Sequence, residues 1–458
     1  MNMEKALAKF IYVTTYEDLP QETIATVKLQ LQVLYGATIA ACYADGCEEI
    51  TKLVRDIGGK EEATILMHGG RVPAQAAAFA NAAMGRALDI DDHISPGVHI
   101  GSAVIPAALA TAELAGNCSG KELIAAIAIG TEVALRLNLE DKDLAGFDPT
   151  GVIAIFASAS AAAKLLMLSE EQILNALALA LNRCGGSFQS HIDGALAVRV
   201  VEGWVAQTGV ECARLAKIGI TGPDNFLEGV YSFFYLYAKE QKDRGYVIKD
   251  LGQKWRLGGL NFKKYPSCGL TQGCTDLILN MMREHGFSAA DVEKIQVRLP
   301  VYSYNLVGSF RMGKNLKVNA QFSAGYCVAN AVVREEITLS QFEAEEIKAP
   351  DVQRFLMERV EVVCDPLLCR SHYSSDIVTR LKSGVVITGG IDIPPGTPGY
   401  PMTLEEHRKR FFDCISFAQL PWLCAEEGGL ILSTLQSFDE LSDISEFISM
   451  LLPKQPPM

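Results

Sequence analysis

The 458-residue chain lacks the marks of several whole protein classes. Its twelve cysteines include no CxxC pair, and most sit in apolar surroundings. They read as buried reduced thiols, not as a disulfide, zinc or iron–sulfur framework. No stretch reaches the roughly 18 uncharged apolar residues that span a bilayer. The opening "MNMEKALAKFIYVTTYEDLP" has no continuous apolar run of the signal-peptide kind. A cytoplasmic protein with no membrane partner is therefore expected, and "NCS" at Asn117 is not read as a glycosylation site. There is no GxGxxG, no GxSxG and no HExxH, and "GNCSGK" is one residue too short for a phosphate-binding P-loop. Repeats and low-complexity segments are absent too.

What is present is apolar. Hydrophobic residues make up 49% and charged residues 21%, the balance of a globular chain with a large core. That length exceeds one ordinary core, so two domains are expected. The formal net charge of −13 makes nucleic acid a poor partner. An anionic small molecule remains compatible if local cations oppose the global field.

The first 220 residues have helical periodicity. "QETIATVKLQLQVLYGATIAAC" (Gln21–Cys42) and the alanine-rich "AQAAAFANAAMGRALD" predict helices. Ser119 with Glu122, and Ser169 with Gln172, have capping-box spacing. "GVIAIFASASAAAKLL" is small and apolar on all sides, which predicts a fully buried helix. "EGWVAQTGVECARLAKIGITGP" predicts a helix stopped by Gly219 and Pro223.

After about residue 265 the pattern changes. "VEKIQVRLP" (Val292–Pro300), "RVEVVCD" (Arg359–Asp365) and "DIVTRLKSGVVITGGI" alternate in the manner of half-buried strands. "SAGYCVANAVVRE" reads as a helix between them. From Leu404 the text is helical again, in "LEEHRKRFFDCISFAQL" and "LQSFDELSDISEFISMLL". The expected fold is mainly α. A large all-helical domain (1–264 plus 396–458) carries an inserted, smaller α+β domain (265–395). "PPGTPGYPMT" (Pro394–Thr403) is the linker back.

One segment concentrates titratable chemistry. Arg86–His99 holds an arginine, three aspartates and two histidines, followed by an apolar run. A metal site, an acid–base site and a solvated loop all compete for it. The calcium-loop pattern fails, since the sixth residue from Asp89 is Ile94 and the twelfth is Ile100. The loop reading has Asp91 and Asp92 merely capping a helix that begins near Val104. The acid–base reading has His93 and His99 near a helix start, where a carboxylate binds well. Partners for it come from elsewhere. Arg199 is a lone cation in "GALAVRVVEGW", either salt-bridged in the core or facing a ligand. Lys263 and Lys264 sit at the expected domain border, where clefts favour ligands, and Cys268 follows. Of the remaining histidines, His191 in "SHIDGAL" stands out.

Taken together, several stretches resemble the MmgE/PrpD family. "RALDIDDHISPGVHIGSAVIPAALATAE" resembles its "LDFDD" box, histidine and "PAALAxAE" signature. "FDPTGVIAIFASASAAAKLLMLSEEQILNAL", "GITGPDNFLEG" and "FKKYPSCG" match later blocks in order. The resemblance implies a helical domain plus an α+β lid domain, a homodimer, and an active site between the domains. It also implies metal-independent chemistry on a small carboxylate substrate, with no cofactor, as in 2-methylcitrate dehydratases, cis-aconitate decarboxylases and an iminodisuccinate epimerase. The family's active-site positions fall on Asp89, His93, His99 and Lys263. Three positions depart from it: Asp148 and Cys268 stand where decarboxylases have histidine, and Val198, beside Arg199, where many members have lysine.

These activities share a carbanion next to a carboxylate. Such a site needs preset cations and a base titrating near neutrality. The expectation is a lyase of the hydro-lyase type, with an epimerase, a decarboxylase or an inactive binding protein as alternatives. Asp89, His93, His99 and Asp148 are the catalytic candidates. His99 or His93 moves the proton, and Asp89 orients the imidazole. Arg86, Arg199, Lys263 and Cys268 are the candidates for holding substrate.

Overall fold

Alanine and glycine set the centre of the molecule, because small side chains let helix backbones approach closely. The computed structural model describes residues 2–239, 244–310, 312 and 315–453. Helix Pro149–Leu165 lies at the middle of the first core, with every residue buried except Lys164. Helix Ala197–Lys217 crosses it at Gly209, where an added Cβ would stand 2.3 Å from Ser158 Cβ. Helices Ala74–Arg86, Gly101–Ala115 and Gly120–Arg136 complete the packing. Helix Gln21–Ala41 is long and apolar enough to cross a bilayer by length and composition, yet most of it is buried in this core. Helix Leu404–Ala418 packs on it, so both ends of the chain build one core.

The capping boxes form where the spacing put them. Ser119 and Glu122 start one helix, and Ser169 and Gln172 another. The last stretch differs from its expectation. "LQSFDELSDISEFISMLL" is not one helix: its first two residues end helix Ala425–Gln436, and a 3-10 turn at Phe438–Glu440 and a short helix Ser445–Met450 follow. The Asp443 carboxylate accepts from the Ser445 N–H and starts a new helix there.

A second hydrophobic core draws its residues from 265–387. Its sheet has four strands, in the order Val360–Cys364, Val292–Leu299, Ser375–Leu381, Val386–Ile391. The first pair is parallel and the others antiparallel. Alternation drives the burial: Ile295, Val297 and Leu299 face inward with Ile377. Helices Gln272–His285, Ala324–Arg334 and Pro350–Arg359 cover that face.

The first core is not purely helical. Ala63–Thr64 pairs with Arg71–Val72, and Asp92–His93 pairs with Asn261–Phe262. The second ladder matters most. It lays the polar segment of the sequence directly against the chain that leads into the second core, with His93 opposite Asn261.

The close helix crossing is testable. Gly209→Val should cost about 1–3 kcal/mol by overpacking, read as a lower urea midpoint. Gly429 has open space around it in a helix. Gly429→Ala should instead be neutral or stabilising by about 0.5–1 kcal/mol.

Candidate active site

Helix Ala74–Arg86 ends at the buried Arg86, and the chain then turns through Asp89 in the left-handed region, at φ 57°. That turn sends three aspartates to three tasks. The Asp89 Oδ1 accepts from Arg86 at 2.5 Å and from Lys263 Nζ at 2.7 Å. The Asp91 Oδ2 accepts from Ser102 Oγ at 2.8 Å and pairs with His99 Nδ1 at 2.9 Å. The Asp92 Oδ2 accepts from Gln30 at 3.0 Å and from the Gly101 N–H, so it caps helix Gly101–Ala115. All three side chains are buried. The solvated-loop reading is thereby excluded, although the cap it foresaw exists, three residues before Val104.

The charges follow from this arrangement. Burial alone would raise the Asp89 carboxyl, but the Lys263 ammonium and Arg86 guanidinium overcome it and hold it at about 2. Burial likewise opposes ionisation of Asp91, and His99 and Arg86 outweigh it, keeping that carboxyl well below its usual range. Among the described residues no cation contacts Asp92. Burial and the neighbouring Asp91 push it up to about 7. Burial, then Arg86, lowers His99; burial, then Lys263, lowers His93 far more. Both imidazoles are therefore neutral bases near pH 7. The Asp91 contact fixes the Nδ1–H of His99 and leaves Nε2 as its basic atom. Both ring nitrogens of His93 are buried without a hydrogen-bond partner among the described residues, which points to a ligand. Its ring sits against Gly269, where a Cβ would stand 2.7 Å from Nε2.

These groups open onto one cavity between the two cores. Arg86, Asp89, His93, His99 and Lys263 form its charged end, and His191 and Cys268 line it too. Phe188, Ile192, Leu270, Leu306 and Phe322 form an apolar wall, with Tyr302, His372 and Tyr373 beside it.

Known proteins match this chain in sequence. A family model described as the MmgE/PrpD N-terminal domain matches residues 5–245, and the MmgE/PrpD C-terminal domain matches 265–419. The chain belongs to the MmgE/PrpD family. Relatives within reach include cis-aconitate decarboxylase of Mus musculus, 26% identical across 83% of this chain and 79% of that protein. The Homo sapiens enzyme of the same name is 26% identical across 84% and 81%. A cis-aconitate decarboxylase-like protein of Aspergillus oryzae is 22% identical across 98% and 97%.

In this MmgE/PrpD chain the candidates read from sequence do not all meet. Arg86, Asp89, His93, His99, Lys263 and Cys268 share the cavity. Burial keeps the Cys268 thiol protonated, at about 11. Lys264 turns away, to Asp276 and Glu406. Arg199 does not line the cavity. Its guanidinium donates to the Asp45 carbonyl. Asp148 is not in the lining either; it caps helix Pro149–Leu165 by accepting from the Thr150 N–H at 2.9 Å. Nor does Asp89 orient an imidazole: Asp91 does that, while Asp89 holds the cations. Sequence reasoning passed over Phe188, Tyr302, Phe322 and His372, which carry no local motif.

Asp92 yields a pH test. Its folded value, about 7, lies above the ordinary 3.8. A raised carboxyl stabilises the fold only while protonated in it, so this contribution is lost as pH rises from about 4 through 7. Asp92→Asn keeps an acceptor for Gln30 and Gly101 and removes the charge. The variant should gain stability relative to wild type between pH 5 and 8 in urea melts. A difference independent of pH would refute the assignment.

Proposed function

We propose that this protein is a lyase that moves a proton at the carbon next to a carboxylate of a small organic acid. The carrying observation is that His99, held from behind by Asp91, opens into the same cavity as Lys263 and His93, whose ring has no hydrogen-bond partner among the described residues. His99 Nε2 takes the α-proton. The imidazolium so formed is stabilised by Asp91, which already receives its Nδ1–H. The electron pair released moves onto the carboxylate as an enolate. Lys263 and an N–H of His93 meet that charge, in a pocket where donors are worth more than in water. Loss of a β-hydroxyl then gives the alkene, which is hydro-lyase chemistry.

The reaction is read as metal-independent. Asp89, Asp91 and His99 offer donor atoms within 4.8 Å of one another. Arg86 and Lys263 already neutralise these carboxylates, so a divalent ion would sit beside two full cations. Supporting the lyase class are the family and its relatives named cis-aconitate decarboxylase. Those names favour decarboxylation as the second reading. The exchanged positions Asp148 and Cys268 weigh against copying that activity. The second core, with its sheet, is read as the inserted α+β lid over the cavity, in a homodimer.

The test is a panel of malate-like, citrate-like and aspartate-like acids and cis-aconitate in D2O, followed by proton NMR. An alkene signal marks elimination; loss of carbon dioxide marks decarboxylation; deuterium uptake alone marks epimerisation. His99→Ala should lower turnover by roughly two to four decades. Turnover that survives this change nearly intact sinks the base assignment.

A further inference from the structure

We propose that His191, backed by Asp148, is a second acid–base residue of this cavity, working opposite the His99–Asp91 pair. The inference rests on the reading above and adds a group that neither the family match nor the relatives assign.

The segment around His191 is built with care for its position. Residues 184–188 lie antiparallel on 146–151: Asp148 N–H donates to the Gly186 carbonyl at 3.0 Å, and Phe188 N–H to the Gly146 carbonyl at 3.0 Å. Gly186 permits the approach, since an added Cβ would stand 3.1 Å from Asp148 Cβ. The chain then makes the short helix Gln189–Ile192. There the His191 ring stacks flat on Phe188, with centroids 4.3 Å apart and planes at 9°. Phe322 from the second core meets it edge-on at 5.9 Å. The imidazole is held in one plane, with its rim at the cavity.

Behind the ring stands Asp148. One of its oxygens caps the following helix, and the other lies 3.9 Å from His191 Nδ1. That nitrogen is buried with no hydrogen-bond partner among the described residues. A histidine kept for structure alone would have its nitrogens satisfied. This one is poised just beyond contact with a carboxylate, and catalytic hydrogen bonds often shorten only when substrate arrives. The two histidine–aspartate couples also share a part. Thr150 donates its N–H to Asp148 and accepts from the His99 N–H at its hydroxyl, 3.0 Å away.

The groups that act on His191 are Arg86, His99, Asp89 and Lys263, together with Asp148. Burial, then Arg86, holds the empty site's imidazole down to about 3. An entering carboxylate adds negative charge and reverses that bias, so His191 takes a proton as the acid binds. His99 then removes the α-proton, the C–H pair moves onto the carboxylate as the enolate, and its return forms the double bond as the carbon–oxygen bond breaks. His191 gives its proton to the leaving hydroxide, which departs as water. His191 returns to neutral and His99 has gained the proton.

The test uses full-length protein labelled with 15N-histidine, and His191→Gln to assign the ring signals. Malate, citraconate and cis-aconitate at saturation are the probes. Both His191 and His99 signals should shift with at least one acid, and His191 should protonate about three to four pH units higher with the acid bound than without it. Asp148→Asn, which keeps a helix cap, should reduce that rise. On whichever acid is turned over, His191→Gln should lower kcat by about two to four decades. KM should stay within a few-fold, and one limb of the pH profile should vanish. Asp148→Asn should give an intermediate loss. A His99 signal that moves while His191 stays still overturns the proposal, as does a kcat within a few-fold in His191→Gln. If neither ring responds to any acid, the reading of the cavity fails, and this proposal with it.

Discussion

A buried carboxylate shared by two cations organises this molecule. Asp89 has left water entirely, at a cost of several kcal/mol for an isolated charge. Arg86, from the same helix end, and Lys263, from 174 residues away, offset that cost together. Neither cation alone would leave the site balanced, because Asp91 lies within reach of Arg86 as well. The same two positive charges act on everything around them. They contribute to keeping His93, His99 and His191 neutral while empty, and they hold the two ionised aspartates far below their ordinary range. The residue at the centre adopts a left-handed backbone, sparsely populated for anything but glycine. Its position between a helix end and a strand requires that turn.

The cavity therefore has two chemically different ends. One is a balanced set of charges with neutral imidazoles whose nitrogens lack full satisfaction. The other is a wall of phenyl and aliphatic groups that excludes water. A site of this kind has little net field when empty and becomes polarised when an acid enters. In the proposed reaction the desolvated surroundings then strengthen each contact to the developing enolate.

Much of this was legible in the residues. Alanine content and capping spacing placed the main helices, because local propensity and core burial agree there. Alternation placed the strands, because one face of the sheet is covered. The polar run after Arg86 stood out as a candidate site, yet the partition of its aspartates was not legible. Which of Asp89, Asp91 and Asp92 meets a cation, a histidine or a helix end depends on a single residue with positive φ. Lys263 stood out only through its place at the border between patterns. Arg199 read equally as a cation held in the core or one facing a ligand, and its helix aims it at the Asp45 carbonyl. Such outcomes are set by rotation about a helix axis and by contacts across long stretches of chain, which periodicity does not encode. The end of the chain was misread for a nearer reason: Asp443 competes for backbone donors that a continuous helix would have used.

The two-residue ladder of Asp92–His93 on Asn261–Phe262 has a consequence for how the protein comes to life. It joins segments separated by nearly 170 positions, so its closure carries a large entropic cost and must await collapse of the helices between them. The first core consists mostly of neighbouring helices and can consolidate early. Lys263 reaches Asp89 only once that distant stretch docks. Until then the aspartate has half its counter-charge and the imidazoles have no roof. Competence for chemistry is thus acquired at the close of folding, and it is the first property forfeited when the seam between the cores loosens.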